Sequence, residues 1–477
     1  MARVLLIQPR PGGGIGFSNT AVVEPLGLEM VGAALSDPRW GSPHEVKLVD
    51  LLVPGQLEEQ LKRFQPQLCG ISCCFTMDVY RVRQISETIK ESSPTCFVFV
   101  GGHHASLSPE DFALPVIDAV VVGEGEVTAR ALVDAYASGS PLDQVAGLAL
   151  NTEAGQFFTA PRPPIASLDE LPLPAHHLVA PYRKAYYLGL QKPMGSVETA
   201  RGCPHRCTFC SVWKFYGGKV RVKSPQRVVE ELAQVPEEYV LVTDDNFLLS
   251  VPRAEAIARE LKGSRIRHRY TIQARSDTVV QHPDLMRLLK EVGLYRVFIG
   301  MEKVDDEELA QLNKKNTVEN NVRALDLLRR IGVAVTPSFI VDPQYTSKQF
   351  ERLRAFLRRH RITAPSIAVL TPLPGTELSR TWRDRLTTKN YELFDLFHSV
   401  IPTRLKLEEF YREFTSLYGT AVRSSGYLIP NAMILFRNMF LGRLSLRHAL
   451  RILSGVRCSL NPRYYLRGHL VGSPPTP

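Results

Sequence analysis

Short apolar runs alternate with longer amphipathic stretches through the amino-terminal third of the chain. The runs predict strands at residues 4–7, 46–51, 68–73, 97–100 and 119–122, and the stretch 24–35 predicts a helix. Apart from Lys47 and Asp50 in the second run and Ser72 in the third, the runs are apolar, which is typical of strands buried on both faces of a parallel sheet. The pattern therefore predicts a Rossmann-like, doubly wound α/β sheet, in which ligands lie beyond the carboxyl ends of the strands.

A second alternating series follows the proline-rich segment 168–174, which has the composition of a stiff linker. It predicts strands at 197–200, 239–243, 270–273, 296–300, 334–341 and 366–370, with helices between them such as 225–232 and 253–261. Six such repeats indicate a partial (β/α)6 barrel, whose active site lies at the carboxyl ends of its strands. A helix at 408–417 begins a helical carboxyl-terminal region. We therefore divide the chain into domains at 1–150 and 191–400, a linker at 151–190 and a basic helical region at 401–477.

The composition is that of a globular protein with more than one core. The chain has 477 residues, of which 44% are hydrophobic, so we expect two large domains and a smaller piece. No run of about 18 or more uninterrupted apolar residues occurs, so a membrane-spanning helix is not expected.

The positive charge is concentrated at the carboxyl-terminal end. The net charge is +10, and residues 424–477 contain seven arginines but no aspartate or glutamate. Such a region indicates an anionic partner, and the spacing of Arg443, Arg447 and Arg451 among leucines is typical of a basic amphipathic helix on anionic lipid. A helix that packs on the barrel with solvated arginines gives the same pattern. We expect no nucleic-acid partner, because no recognised nucleic-acid-binding motif is present.

Cys203, Cys207 and Cys210 form a Cys-x3-Cys-x2-Cys triplet directly after a predicted strand. Three thiolates on a short loop can hold three irons of a cubane [4Fe–4S] cluster and leave the fourth iron open to another ligand. A zinc site that includes His205 is an alternative, although this spacing is unusual for zinc. A disulfide is a weaker alternative, because the chain has no signal peptide and we expect it to be intracellular.

The triplet, with an aromatic residue before its last cysteine, resembles that of the radical S-adenosylmethionine enzymes. The resemblance implies that S-adenosylmethionine binds the open iron and that one electron cleaves it to a 5′-deoxyadenosyl radical. It also implies an electron donor protein of the flavodoxin or ferredoxin type. The residues that the resemblance places around S-adenosylmethionine follow predicted barrel strands: Asp244, Asp245 and Asn246 at its amino group, Glu302 at the ribose and Thr371 at the adenine. Gln273 and Arg275 end the third barrel strand and are further cofactor-binding candidates, and Arg275 could pair with the methionine carboxylate.

Ordinary structural roles compete with several of these assignments. Aspartate and asparagine also favour helix caps and turns, and Arg275 could make a structural salt bridge. Trp213 and Tyr216 follow the cysteine loop and either close over the site or pack in the core.

The amino-terminal region resembles the cobalamin-binding domain that precedes many radical S-adenosylmethionine domains. The matching segments are Pro25-Leu26-Gly27-Leu28, Gly101-Gly102-His103-His104-Ala105 and Gly123-Glu124-Gly125-Glu126. The resemblance implies a cobalamin site formed by Gly101, Gly102, His103, His104, Gly123, Glu124 and Gly125. The Asp-x-His-x-x-Gly motif that supplies a lower ligand to cobalt elsewhere is absent, so the lower ligand stays open. A flavodoxin-like domain that binds another ligand, or none, is the alternative.

The succession of the two domains resembles the cobalamin-dependent radical S-adenosylmethionine methyltransferases, and within them the hopanoid C-3 methylases. The segments that carry the second resemblance are 242–247, 339–343, 370–376 and 400–404. It implies C-methylation of an unactivated sp3 carbon of a hopanoid, with the corrin facing the barrel mouth. The alternatives are a cobalamin-dependent oxidative cyclase, a methylase of another substrate and a non-catalytic metal-stabilised binding protein. We expect a lipid or other hydrophobic small-molecule substrate, and a cytoplasmic protein with peripheral contact to the inner membrane surface through its basic region.

Overall fold

The computed structural model describes residues 1–10, 21–53, 55–422, 425–442 and 444–470, and the side chains of all of these except 425–431 and 470. Arg443, one of the arginines of the predicted basic helix, lies outside the described residues. The chain forms two compact units. The first comprises Met1–Gly12, Glu24–Arg183 and Lys214–Gly217, and the second comprises Gly13–Val23, Lys184–Trp213 and Gly218–Pro477.

A seven-stranded sheet forms the centre of the first unit. Its strands are β1 (Arg3–Gln8), β2 (Glu45–Asp50), β3 (Leu68–Ser72), β4 (Phe97–Gly101), β5 (Ala119–Val121), β6 (Leu148–Thr152) and β7 (Gly155–Phe158). They lie in the order β2-β1-β3-β4-β5-β6-β7, and the first five are parallel. The strand order reverses between β1 and β3, which is where ligands bind in doubly wound sheets.

Five helices accompany these strands among the described residues of the first unit: α1 (Leu26–Ser36), α2 (Gln56–Phe64), α3 (Val79–Ser92), α4 (His103–Leu107) and α5 (Gly125–Ser138). The apolar runs predicted the parallel strands because most of these strands are buried on both faces, as Val4 through Ile7 are, although the first half of β2 is partly exposed. The antiparallel pair β6–β7 was not predicted. Its residues are mixed in polarity and half of them face solvent, so no apolar run marks it.

The predicted linker is packed against the first unit. Leu168 and Leu171 are buried in a small apolar cluster with Met30 of α1. His176 follows in a short 3-10 helix and contacts Glu29 of α1. The proline-rich segment is therefore held to α1 by both apolar and polar contacts.

The second unit contains a half barrel of six parallel strands in sequence order, as predicted. The strands are β8 (Met194–Val197), β9 (Tyr239–Val242), β10 (Arg269–Ala274), β11 (Leu294–Glu302), β12 (Ala334–Val341) and β13 (Ser366–Val369). The helices that follow them are α6 (Val212–Phe215), α7 (Pro225–Leu232), α8 (Val251–Gly263), α9 (Ser276–Gln281), α10 (Pro283–Glu291), α11 (Asp306–Gln311), α12 (Val318–Arg330), α13 (Ser347–Arg359) and α14 (Glu377–Thr381). Two short antiparallel pairs, Ala200–Arg201 with Arg221–Val222 and Ala21–Val22 with Tyr187–Leu188, complete the unit.

Four helices form the carboxyl-terminal region: α15 (Leu407–Val422), α16 (Ser425–Phe440), α17 (Leu446–Ser459) and α18 (Pro462–Leu470). Helix α15 packs into the barrel core through Phe410, Tyr411 and Phe414, and Tyr465 of α18 stacks on Tyr411 at a ring distance of 5.3 Å. Arg447 and Arg451 of the predicted basic helix lie on α17, and the chain turns between α16 and α17 at Gly442, whose φ of 66° favours glycine. No helix among the described residues is both long and apolar enough to cross a bilayer.

Candidate active site

The cysteine loop begins directly after the short strand Ala200–Arg201 and is held from both sides. Phe209 packs into an apolar cluster with Leu312, Ile340, Leu370 and Leu378. The backbone N–H of Thr208 donates to the carbonyl of Leu312 at 3.2 Å, and the N–H of Leu378 donates to the carbonyl of Thr208 at 3.2 Å. The aromatic residue before the last cysteine is therefore an anchor that fixes the loop on the barrel.

Trp213 also holds the cysteine loop. Its indole N–H donates to the carbonyl of Cys207 at 3.2 Å, and the guanidinium of Arg206 lies 5.8 Å from its ring centre. Trp213 therefore supports the cysteine loop, which is neither of the two roles expected for it from the sequence. Tyr216 belongs to the first unit, where its ring lies edge-on to Phe215.

Cys203, Cys207 and Cys210 are free thiols, and Cys207 is fully buried. Burial raises the pKa of all three thiols, that of Cys210 to about 12. Three deprotonated sulfurs on this loop therefore need a compensating positive charge, which coordinated iron supplies.

The three sulfurs are not gathered around a single point. Among the described residues, these sulfurs do not form a group that lies entirely within 4.8 Å. One tetrahedral zinc would hold its thiolates about 3.8 Å apart, because each Zn–S bond is about 2.3 Å long. The loop is therefore not arranged for a single zinc, and its donor set, three thiolates within eight residues, is one that a cubane takes.

Asp244 follows β9 and is fully engaged by the strand that leads into the cysteine loop. Its carboxylate accepts hydrogen bonds from the N–H of Thr199 at 2.6 Å, from the N–H of Ala200 at 3.0 Å and from the Thr199 hydroxyl. Burial raises the pKa of Asp244 to about 6, while the bonds from Thr199 oppose that rise. Asp244 therefore positions the start of the cysteine loop, and its neighbours are left to face a cofactor.

Asp245 and Asn246, which follow Asp244, carry side-chain oxygens that a ligand could contact. The Asp245 side chain is exposed, yet desolvation together with the charges of Asp244 and Glu198 raises its pKa to about 6. The amide oxygen of Asn246 is buried and has no hydrogen-bond partner among the described residues. A carboxylate and an orphaned amide oxygen at one strand end fit a ligand that carries an ammonium group.

Arg275 follows β10 and makes the structural salt bridge that was considered for it. Its guanidinium pairs with Asp277 at 2.6 Å and donates to the carbonyls of Lys314 and Lys315 at 2.9 and 2.8 Å. The half-buried Gln273 side chain makes no hydrogen bond to any described residue. Gln273 is therefore the residue of this strand end that remains open to a ligand.

Glu302 ends β11 in a left-handed conformation with φ of 63° and is buried. Its Oε1 accepts from the Nζ of Lys314 at 2.7 Å. Burial alone would lower the pKa of Lys314, but Glu302 and the Cys207 thiolate raise it above its usual value. Lys314 was not predicted, because one lysine in a loop more than a hundred residues from the triplet carries no sequence signal.

Thr371 follows β13 and is buried. Its hydroxyl donates to the carbonyl of Val369 at 2.9 Å, and its own carbonyl accepts from the N–H of Leu373 at 2.9 Å. Both groups therefore shape the turn after the last strand. The predicted residues of the second unit thus follow neighbouring parallel strands at one edge of the sheet, as expected.

The predicted cobalamin residues of the first unit follow β4 and β5. His104 is buried with both ring nitrogens engaged, by Thr76 at 3.1 Å and by Asp111 at 3.0 Å. The ring of His103 stacks on Phe215 at 4.7 Å, and burial lowers the pKa of His103 to about 4, so its imidazole is neutral at pH 7. His104 holds the strand end, and His103 presents an uncharged ring.

The glycines at these strand ends differ in the space that is available beside them. Gly102 has a φ of 118°, and an added Cβ would lie 2.7 Å from the carbonyl oxygen of Cys73, so a glycine is required at this position by packing as well as by conformation. Gly123 has a φ of 91° with nothing within 4 Å of an added Cβ, so the space beside it is open. Gly125 begins α5, and the Glu124 carboxylate accepts from the N–H of Ile165 at 2.8 Å.

An exposed aromatic ring lies at the end of β3. Phe75 is 66% exposed and follows the strand that borders the reversal of strand order. Open space at Gly123 and an uncovered apolar ring at this edge fit a large, flat ligand such as a corrin.

Two family descriptions match separate parts of the sequence. The Radical SAM superfamily matches residues 197–357, and the B12 binding domain matches residues 14–133. The chain is 33% identical to the hopanoid C-3 methylase of Methylococcus capsulatus over 440 residues, which cover 91% of this chain and 80% of that protein. It is 30% identical to an uncharacterized methyltransferase of Pyrococcus horikoshii, over 91% of this chain and 94% of that protein.

Solved structures show the same fold. The cobalamin-dependent S-adenosylmethionine radical enzyme OxsB, solved with aqua-cobalamin and S-adenosylmethionine, superposes with a TM-score of 0.69 at 19% identity and covers 99% of this chain and 73% of its own. The radical S-adenosylmethionine methyltransferase TsrM of Kitasatospora setae was solved with cobalamin and a [4Fe–4S] cluster. It has a TM-score of 0.63 at 21% identity, and the match covers 82% of this chain and 79% of that one. The predicted fold class, a Rossmann-like sheet before a partial barrel and a helical region, is confirmed.

Proposed function

Because the chain belongs to the cobalamin-dependent radical S-adenosylmethionine methyltransferases, we propose that it methylates an unactivated sp3 carbon of a hopanoid lipid, at the C-3 position. The protein is an enzyme, and its cofactors are a [4Fe–4S] cluster, S-adenosylmethionine and cobalamin. It acts on a small molecule and needs a reductant, for which a flavodoxin- or ferredoxin-type protein is our proposal.

One observation carries the choice of substrate. The identity of 33% to a hopanoid C-3 methylase extends over 91% of this chain and 80% of that protein, so it is not confined to one of the two domains. The anaerobic magnesium-protoporphyrin IX monomethyl ester cyclase of Rubrivivax gelatinosus is 26% identical over 82% of the chain and 69% of its own length. An oxidative cyclase is therefore the second candidate, with the weaker support.

The proposed reaction gives the residues of the second unit a defined task. When bound, the cluster and S-adenosylmethionine supply one-electron chemistry able to take hydrogen from an unactivated carbon, and cobalamin supplies a transferable methyl group. Cys203, Cys207 and Cys210 hold the iron. Asp244 fixes the start of their loop, and Trp213 and Phe209 prevent it from moving.

The remaining strand-end groups orient the cofactors in this proposal. Asp245 and Asn246 face the ammonium group of S-adenosylmethionine, Gln273 and Glu302 bind its polar parts, and the turn at Thr371 borders its adenine. In the first unit, the open space at Gly123 and the neutral ring of His103 face the corrin. A hopanoid ring system offers only unactivated carbons, which no general acid or base can deprotonate, so a radical route suits it.

Peripheral contact with an anionic membrane forms part of the proposal, because a hopanoid lies in a bilayer. The outer surface of α16 and α17 exposes large apolar side chains: Met433, Phe436, Phe440, Leu441, Leu446, Leu450 and Leu453. Phe440 is 92% exposed. We call this set the apolar face. The exposed arginines of the region are Arg437, Arg447, Arg451, Arg457, Arg463 and Arg467.

The packing of α17 favours lipid contact over a solvated outer surface. Its inner side already packs within the second unit, since the His448 ring lies edge-on to Tyr187 at 4.2 Å and Ala449 is buried. The leucines that remain outside therefore have no packing role in the described part of the chain. Apolar side chains among arginines match the boundary between acyl chains and anionic headgroups.

Expression of the chain in a host that makes hopanoids but does not methylate them at C-3 tests the proposal. We expect a new hopanoid that carries one additional methyl group in the lipid extract, detected by mass spectrometry. Methionine labelled with deuterium in its methyl group should pass that label to the product. A variant with Cys207→Ala is the matched control and should yield no such lipid.

The outcomes separate the candidates. An unlabelled, ring-closed or oxidised product would indicate a cyclase. Label in another small molecule, with unchanged hopanoids, would indicate a methylase of a different substrate.

A further inference from the structure

The segment from Leu312 to Asn316, here called the clasp, joins the cysteine loop to two barrel strand ends. The clasp contacts the loop on both sides of Cys207, since the N–H of Thr208 donates to Leu312 at 3.2 Å and the amide of Asn313 donates to the carbonyl of Arg206 at 2.7 Å. These two bonds fix the clasp against the middle cysteine.

Backbone conformation turns Lys314 away from its neighbours. Asn313 and Lys315 both have positive φ values, 51° and 50°, which L-residues adopt rarely. Lys315 is exposed, whereas Lys314 between the two left-handed residues is buried. Arg275 secures this arrangement by donating to the carbonyls of both lysines.

The ammonium of Lys314 is buried and forms an ion pair with Glu302. Its Nζ lies 2.7 Å from Oε1 of Glu302. An added Cβ at Gly300 would lie 2.2 Å from that carboxylate oxygen and 2.8 Å from Nζ, so a larger residue there would displace the ends of both side chains. The ion pair is buried, and it belongs to a segment that bonds to both sides of Cys207, so it is not a surface contact.

We propose that the Lys314–Glu302 pair tunes the reduction potential of the iron–sulfur cluster, with Lys314 raising the potential and Glu302 lowering it. This inference rests on the cluster of the proposed function but not on its lipid substrate. Reduction adds one electron from a low-potential protein donor, and therefore one negative charge, with no bond made or broken at the cysteines. A nearby buried cation favours the state with more negative charge, and a nearby anion disfavours it.

Lys314 and Glu302 are positioning residues in this proposal, because each acts on the cluster through its charge and neither binds iron.

A redox titration of the reconstituted full-length protein, followed by the EPR signal of the reduced cluster, tests the inference without any substrate. We expect Lys314→Gln to shift the midpoint to more negative potential and Glu302→Gln to shift it to less negative potential. Lys314→Arg should restore the wild-type midpoint. Lys315→Gln is the matched control, because it removes the same charge from an exposed position in the same clasp, and it should leave the midpoint unchanged.

A merely structural role would not produce shifts of opposite sign. Midpoints of both glutamine variants equal to wild type, or shifted in the same direction, would overturn the inference. If Lys314→Gln does not retain iron, Glu302→Gln decides alone, and no shift to less negative potential in it refutes the proposal. Absence of any cubane signal in the wild-type protein would instead refute the proposed function.

Discussion

At the scale of single residues, the polar side chains at the barrel strand ends fall into two groups. Asp244 and Arg275 bind the chain itself and hold the cysteine loop and the clasp in place. Asn246 and Gln273 retain atoms that no described residue engages, and Asp245 is exposed. The sequence places all five residues at strand ends. It does not show which of them bind the chain itself, because the partners of Asp244 lie 44 and 45 residues away.

Replacement of Asp244 by alanine should destabilise the second unit. It leaves two backbone N–H groups and the Thr199 hydroxyl buried without acceptors, and we expect a loss of roughly 2–4 kcal/mol in the free energy of unfolding. Urea denaturation of the apoprotein measures it. Asp284→Asn is the control, since that side chain is 92% exposed and should change stability by less than about 0.5 kcal/mol. Equal denaturation midpoints for the two variants would contradict the assigned role.

Replacement of any one triplet cysteine by alanine should remove the cluster and, with it, methyl transfer. Because the three thiolates act as one ligand set, we expect iron content and activity to fall to background in each variant. Iron and sulfide analysis after anaerobic reconstitution measures this. Cys458→Ala is the matched control, because Cys458 lies on α17 away from the loop. Iron retained by Cys203→Ala at the wild-type ratio would contradict the assignment.

At the scale of elements, the sequence predicts best what is buried on both faces. The strand β12 has the predicted bounds, 334–341, and the other parallel strands lie within three residues of their predicted bounds, because most of them carry apolar runs. The largest difference is β8, which lies at Met194–Val197 and not at the predicted 197–200. The β6–β7 pair and the clasp were missed for the opposite reason. Their geometry depends on a sheet edge and on two left-handed residues, neither of which leaves a hydrophobic pattern.

The contact between His176 and α1 should make the stability of the first unit depend on pH. Burial would lower the pKa of His176, but Glu24 and Glu29 raise it to about 9, against about 6.5 in an unfolded chain. The folded state therefore binds the proton more tightly. The resulting stability is fully present below about pH 6.5 and is lost as the pH rises through about 9.

The variant His176→Gln tests this contact. Removal of one partner from a buried ion pair costs roughly 3–5 kcal/mol, so we expect a loss of that order at pH 6 that shrinks toward pH 9. Urea midpoints over this pH range measure it. His177→Gln is the matched control, because that neighbouring side chain is exposed and lacks a carboxylate partner among the described residues. A loss in His176→Gln that stays constant with pH would contradict the role of the charge.

At the scale of the whole molecule, sequence order and composition carried the identification. A B12-binding region followed by a half barrel with the cysteine triplet indicates the family more specifically than either part alone. The comparisons confirm both parts. The charge pattern predicted a basic helix at the end of the chain, but the sequence did not show that leucines and phenylalanines would remain outside. That follows only once His448, Ala449 and Leu444 are seen to occupy the inner side.

The apolar face and its arginines should bind anionic vesicles by two separable contributions. Each arginine near an anionic surface contributes about 1 kcal/mol, so Arg447→Gln with Arg451→Gln should weaken binding to phosphatidylglycerol vesicles roughly 30-fold at moderate salt. That loss should disappear on uncharged vesicles and shrink as salt screens the charges. Phe436→Ser with Phe440→Ser removes inserted apolar area instead, and should weaken binding to both kinds of vesicle.

Flotation of the full-length protein with vesicles of each composition measures these effects. Arg287→Gln with Arg323→Gln is the matched control, because it removes the same charge from exposed positions on the barrel helices α10 and α12, and it should bind as the wild type does. Equal losses in the two arginine pairs would show that net charge, and not the apolar face, attracts the membrane. Binding that survives the phenylalanine pair on both vesicles would remove the apolar face from the contact, so the substrate would have to reach the barrel by another route.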